Sequence, residues 1–268
     1  MVKSIISKYL KFIVLTILLL NISCTKYNKL LKSKDYALKL EKAIEYYEKK
    51  DWHKAETLFT DILPVYRGTD KAKDIMLMYA YCHYNLGDNL IAVHYFKTFS
   101  RTWSNDPRVK EADFMVAICL YEDSPRFNLD QTSSIKAIEA FQYYITMHPT
   151  SERIEEATDL QENLKKRLEK KSYSDAKQYF QLGQNKAAVI SLKNSLKDFP
   201  DSEYREDIMF LILKSSFMLA RNSQLDVKKE RFQDTINEYY AYIDEFATGT
   251  RAKEAERIYA QCVKELQK

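Results

Sequence analysis

Residues 80–103, AYCHYNLGDNLIAVHYFKTFSRTW, decide the fold. Ala80 stands twelve residues before Ala92, and Gly87-Asp88-Asn89 lies between them. From Ala92, large side chains follow at offsets of 4, 7 and 11, as Phe96, Phe99 and Trp103. Those offsets hold to one face of an α-helix, which turns once in about 3.6 residues. Gly87 suits the left-handed position that ends the preceding helix. The stretch predicts two antiparallel helices meeting at small residues, with aromatic rings filling the space beside the contact.

Working outward, the same line appears four more times: Ala55, Phe59, Ile62, Tyr66; Ala137, Phe141, Tyr144, His148; Ala188, Leu192, Ser195, Phe199; and Thr235, Tyr239, Tyr242, Phe246. Twelve residues before Ala55 and Ala188 come Ala43 and Ala176, across the turns Lys50-Asp51-Trp52 and Gly183-Gln184-Asn185. This is the tetratricopeptide layout, in which no hairpin buries its apolar face alone. The predicted fold class is all-α, a tetratricopeptide-repeat superhelix of about five helical hairpins. Four glycines and five prolines in 268 residues agree with a nearly all-helical chain.

Three departures from the repeat carry expectations. Ala117 precedes its partner Ala137 by 20 residues instead of 12, so 123–134 is expected to protrude as a loop, with Thr132, Ser133 or Ser134 capping the next helix. Between Ala137 and Ala176 the extra residues are polar with Ile154, Ala157, Leu160, Leu164 and Leu168 at helical spacing, so the first helix of repeat four should be about four turns longer. Its charge run, Lys165 to Lys171, reads as a solvated face or as a docking surface. A second long connection is expected near Arg221 to Glu230.

The N-terminal end is of another kind. Lys3, Lys8 and Lys11 precede an apolar run from Phe12 to Leu20 that ends at Ser23-Cys24. That run is shorter than the roughly 20 residues that span a bilayer as a helix. It reads as a secretory leader, with Cys24 as the lipidation site or, in an ordinary signal peptide, an incidental cysteine. The expected organisation is leader 1–23, lipidated tether 24–33, an N-terminal half 34–151 with repeats one to three, and a C-terminal half 152–268 with repeats four and five. Loss of the leader lowers the formal net charge from +4 to +1, and a near-neutral body argues against nucleic acid. Cys82, Cys119 and Cys262, an odd set, read as buried thiols; Cys82 and Cys119 take the same place in successive repeats, and equivalent points on neighbouring helices lie about 8–10 Å apart, too far for a disulfide.

A cysteine-led tether, five irregular repeats, the string Tyr27-Asn28-Lys29-Leu30-Leu31-Lys32-Ser33, and a third-repeat insertion with Ser124-Pro125 and Leu129-Asp130-Gln131-Thr132 together resemble the BamD family of outer-membrane protein assembly lipoproteins. The repeat ends Met147-His148-Pro149-Thr150-Ser151 and Asp198-Phe199-Pro200-Asp201-Ser202 are similar to that family's. The resemblance implies an outer-membrane, lipid-anchored protein facing the periplasm. It implies a scaffold role in β-barrel assembly: C-terminal repeats contacting POTRA-type domains of the barrel subunit, other assembly lipoproteins as neighbours, and N-terminal repeats near unfolded outer-membrane proteins.

Candidate binding residues follow from the repeat. Four residues after the small anchor of each first helix come Tyr47, Tyr84, Tyr121 and Phe180, with Tyr81 and Phe114 at adjacent positions. These rings read either as a ladder for an extended peptide, since tyrosine offers area at low entropic cost, or as packing against the next helix. Within Glu203-Tyr204-Arg205-Glu206-Asp207, Arg205 reads either as a bidentate partner contact or as a solvated helix-start charge. No phosphate loop, nucleophile elbow or metal spacing is present, and His53, His83, His94 and His148 are scattered. The sequence therefore points to a binding protein with no catalytic residues, metal or cofactor. Two rival binding roles are a SusD-like nutrient-binding lipoprotein and a periplasmic cell-envelope coordinator.

Overall fold

A computed structural model describes residues 26–268. The leader and Cys24 lie outside the described residues. Among the described residues there is no strand. A short helix α1 covers 26–31, and eleven longer ones follow. They are α2 Tyr36–Glu48, α3 Trp52–Ile62, α4 Ala72–Leu86, α5 Asn89–Thr102, α6 Val109–Glu122 and α7 Thr132–Met147, then α8 Ile154–Gln181, α9 Asn185–Asp198, α10 Arg205–Arg221, α11 Leu225–Phe246 and α12 Ala252–Leu266. The chain forms two compact units. One takes the described residues to Ser124 with Lys136–Thr158, and the other takes Pro125–Ile135 with Asp159–Lys268.

Within each unit the helices pair as tetratricopeptide hairpins. The small anchors Ala43, Ala55, Ala80, Ala92, Ala117, Ala137, Ala188 and Thr235 have no exposed surface, and Ala176 has 2%. Phe59, Phe96, Phe99 and Phe141 beside them are wholly buried, each worth about 1.5–3 kcal/mol over an exposed ring. In the first unit α1 adds to this core, as Tyr27, Leu30 and Leu31 pack on the cluster of Leu40, Leu58, Phe59 and Ile62. In the second, α12 closes the array by setting Ala255, Ile258 and Cys262 against Phe210, Phe217 and Tyr242. The sequence carries this twelfth helix as the amphipathic stripe Ala252, Ala255, Ile258 and Cys262, which lacks the small-then-large line of the repeats.

The turns inside three hairpins are copies of one hydrogen-bonded motif. The N–H of Lys50 donates to Tyr47 O and that of Asp51 to Tyr46 O. Gly87 and Asp88 do the same to Tyr84 and His83, as do Gly183 and Gln184 to Phe180 and Tyr179. This is a Schellman cap, whose penultimate residue must be left-handed. Gly87 and Gly183 take φ of 81° and 72° without strain, but in the first hairpin Lys50 is held at φ 60°.

A second recurring device links successive first helices. Arg108, Arg153 and Arg251 each stand immediately before α6, α8 and α12. Each reaches back to an acid in the first turn of an earlier first helix: Arg108 to Asp74 at 2.7 Å, Arg153 to Glu111 at 3.1 Å and Arg251 to Asp207 at 2.7 Å. Each guanidinium also lies near a phenylalanine ring, 5.5 Å from Phe99, 3.7 Å from Phe114 and 5.0 Å from Phe210. Before α10 the position is Tyr204, which stacks on Tyr173 at 4.5 Å, while Ser202 Oγ donates to Glu169 at 2.6 Å. The sequence signal is a basic or aromatic residue followed three positions later by an acid, as in Arg108-Val109-Lys110-Glu111.

Two connections differ from expectation. The inserted loop does not protrude: it groups with the second unit, and Phe127 lies beneath Lys170 of α8 at 4.6 Å. Its three hydroxyl residues fall inside α7. Asp130 accepts the N–H of Thr132 at 3.0 Å, and buried Ser134 donates to Gln131 Oε1 at 2.8 Å. The expected long connection at 221–230 shrinks to 222–224, since Leu225 already begins α11. That segment holds no glycine or proline, and its Lys228, Lys229 and Glu230 are good helix formers. Its start is solvated, with Leu225 88% exposed. The lengthened helix is as expected, α8 running to 28 residues where α6 has 14.

Two measurements follow. Lys50→Gly should raise stability by roughly 0.5–1 kcal/mol, because relief of the left-handed strain exceeds the entropy glycine adds to the unfolded chain. Gly87→Ala, where an added Cβ meets nothing within 4 Å, should lower it by about 1 kcal/mol through backbone strain alone; thermal denaturation reads both. A double-mutant cycle of Glu111→Gln with Arg153→Ala should give a coupling of about 0.5–1 kcal/mol in urea denaturation. Arg153→Lys should recover less than half of it, since an ammonium cannot lie flat on Phe114 and hold the carboxylate together.

Candidate peptide-binding face

The first unit brings four of the predicted rings onto its first helices, each half-buried: Tyr47 on α2, Tyr81 and Tyr84 on α4, and Tyr121 on α6. None is loose. Tyr47 stands edge-on to Trp52 at 5.4 Å and to Phe59 at 6.4 Å. Burial raises its phenol pKa. Tyr81 sits edge-on to Phe96 at 5.0 Å and donates to Glu111 at 3.2 Å. Tyr84 donates to Glu122 at 2.8 Å, and burial with that carboxylate pushes its phenol up to about 12. Tyr121 meets Phe141 edge-on at 6.2 Å. Each ring is held by a neighbour and keeps part of its surface exposed, a geometry that presents area without fresh ordering cost.

Carboxylates and a guanidinium complete the face. Glu111 accepts both from Tyr81 and from Arg153, so α4, α6 and the turn before α8 share one polar chain. Glu122 extends the pattern to the far end of α6. Neither acid stood out in the sequence; the signal for Glu111 was its place three residues after Arg108, and Glu122 carried none beyond its adjacency to Tyr121.

Two predicted residues do not join this face. Phe114 has no exposed surface and packs on Tyr144 at 5.2 Å and Phe141 at 6.4 Å, under Arg153. It stands three residues before Ala117, on the side of α6 that meets its hairpin partner, so it is a core ring. Phe180 belongs to the second unit, half-buried against Ala188, Leu192 and Ile208.

In that second unit Arg205 forms its bidentate pair within the chain. Its Nε and Nη2 donate to the two oxygens of Glu245, both at 2.6 Å, and Nη1 donates to Pro200 O at 2.9 Å. A shallow recess of about 760 Å³ opens beside it, lined also by Asp201, Glu203, Glu206 and Phe246. Glu206 accepts from Tyr242 and Thr250. A Cβ on Gly249 would come within 2.5 Å of its carboxylate, so glycine lets this turn approach.

The thiols and two of the imidazoles are packed or paired within the chain. Cys82, Cys119 and Cys262 are free and buried, and burial pushes the first two thiols up to about 12. His148 Nε2 is 2.8 Å from Asp113, and His83 is enclosed by Tyr79, Tyr95 and Asp88. Among the described residues no cluster of His, Cys, Asp or Glu is placed to hold a metal ion, and no helix is long and apolar enough to cross a membrane.

Comparison with known proteins gives the chain a family. A Caulobacter vibrioides protein described as outer membrane protein assembly factor BamD is 20% identical over 174 residues, which are 65% of this chain and 57% of that relative. The chain thus matches little more than half of that relative's length. Among solved structures, the P58(IPK) TPR domain is 14% identical with a TM-score of 0.42, covering 90% of this chain and 69% of that one. The yeast Sti1 TPR2AB domain in complex with pHSP90 is 13% identical with a TM-score of 0.39, covering 85% of this chain and 98% of that one. The family model described as "YfiO: Outer membrane lipoprotein" matches residues 34–231, most of the repeat array, and the chain belongs to that family of outer membrane lipoproteins.

Proposed function

We propose that this protein is a non-enzymatic scaffold of outer-membrane β-barrel assembly, anchored through acylated Cys24 with its body in the periplasm. The carrying observation is the family match across residues 34–231. The relative described as an assembly factor supports the same reading. In this proposal the rings of Tyr47, Tyr81, Tyr84 and Tyr121 take the aromatic-ending terminal segment of an unfolded barrel protein. Held by neighbours and partly exposed, they suit an extended chain with bulky side chains. Glu111 and Glu122 would meet its backbone N–H groups or basic residues, and Arg153 its carboxylates.

The C-terminal repeats take the periplasmic POTRA-type domains of a barrel subunit, with the α10 start as the contact. The Arg205–Glu245 pair then acts as a preformed charged fork, and a partner carboxylate competes with Glu245 for the guanidinium. Other assembly lipoproteins are neighbours in the same complex.

Tyr84→Ala combined with Tyr121→Ala should weaken binding of a synthetic barrel-terminal peptide by about tenfold or more. Calorimetric titration reads the loss, with helicity by circular dichroism unchanged; full affinity in the double variant would refute the assignment of this face. Arg205→Glu should abolish recovery of the barrel subunit in affinity purification from solubilised membranes, and undiminished recovery removes Arg205 from the interface.

A further inference from the structure

The first unit carries a second surface, of different character, on another side of α6. A trough of about 980 Å³ runs between α5 and α7, with α6 as its floor. Its walls are Leu90 and Val93 on α5 and Tyr143 and Met147 on α7, over Val116 and Leu120 of α6. On each helix the lining residues recur every three or four positions, so three stripes run side by side. The α7 stripe from Lys136 to Met147 is about 16 Å long at 1.5 Å per residue. Leu90, Tyr143 and Met147 are 75%, 52% and 56% exposed, an unusual apolar grouping for the outer helices of a repeat.

The charges around the trough are one-sided. Lys97 and Arg101 rise from α5 and Lys136 from α7, and among the described residues none of the three is in an ion pair. Of the two lining carboxylates, Asp113 is buried and held by His148 at 2.8 Å, leaving exposed Glu139 alone against three cations. The hydroxyl of Ser100, also on the lining, is buried without a hydrogen-bond partner among the described residues.

We propose that this trough docks an acidic amphipathic α-helix of about three turns from another protein. A helix satisfies its own backbone, so it can lie on helical walls that offer no free N–H or C=O groups. An extended strand would leave its backbone unpaired there. An apolar stripe at i, i+3, i+7 and i+11 fills the space over Val116 and Leu120, and acids on its flanks meet Lys97, Arg101 and Lys136. The surface is independent of the aromatic face and does not rest on what that face binds.

The test is photo-crosslinking of the full chain in the cells that make it. Benzoylphenylalanine replaces Tyr143 or Leu90, with Tyr240 of the second unit as control, and adducts are mapped by mass spectrometry. The expected adduct from 143 and 90, absent from 240, is a protein segment with that apolar stripe and flanking Asp or Glu. Lys97→Glu with Arg101→Glu should lower its yield about tenfold, and Lys136→Glu, on a different helix, should repeat the loss so that a local folding defect cannot imitate it. Adducts to lipid alone, to extended or basic segments, or none at all would overturn the proposal, as would a yield that ignores all three charge reversals.

Discussion

Two helices of a hairpin can lie close only where neither side chain at the crossing occupies space. That constraint governs the whole array. Ala43 with Ala55, Ala80 with Ala92 and Ala117 with Ala137 are all without exposed surface, and the rings at +4 and +7 fill the wedge that opens away from each crossing. Thr235 shows the limit of the rule. Its hydroxyl fits the same buried position because it donates to Arg231 O at 2.8 Å along its own helix, which removes the cost of burying it.

Close hairpins still have to be stacked, and the stacking uses polar groups at the helix ends. The arginines before α6, α8 and α12 each join a carboxylate and a ring contributed from elsewhere in the array. A guanidinium suits that position, since its plane covers the ring while its edge donates to the acid. In the middle of the second unit, where α8 is longer, Glu169, Tyr173 and Tyr204 replace this arrangement, and the contact becomes a tyrosine stack with a carboxylate accepting from Ser202.

The two surfaces of the first unit differ in how their side chains are held. On the inner face every tyrosine is braced by a carboxylate or another ring, so the face is stiff and mixed in polarity. On the outer trough Leu90, Tyr143 and Met147 are exposed over a buried apolar floor, and the cations lack ion-pair partners within the described residues. A stiff, polar-edged face favours partners recognised by hydrogen bonds as well as area, while an apolar trough with unsatisfied cations favours one amphipathic occupant.

Periodicity alone determined the hairpins that meet at small residues and the lengthened α8, because a 3.6-residue repeat is a local property of the chain; α12 and the early start of α11 lie outside that pattern. The same locality made the four tyrosines legible as a row on the first helices. Only tertiary structure decided which neighbour each side chain met. Phe114 is core because α7 turns Phe141 and Tyr144 onto it, Arg205 is occupied because Glu245 arrives from 40 residues away, and the 123–134 insertion lies down because the lengthened α8 sets Lys170 over Phe127. These contacts join residues far apart in the chain, and no local spacing encodes which distant group fills a given space.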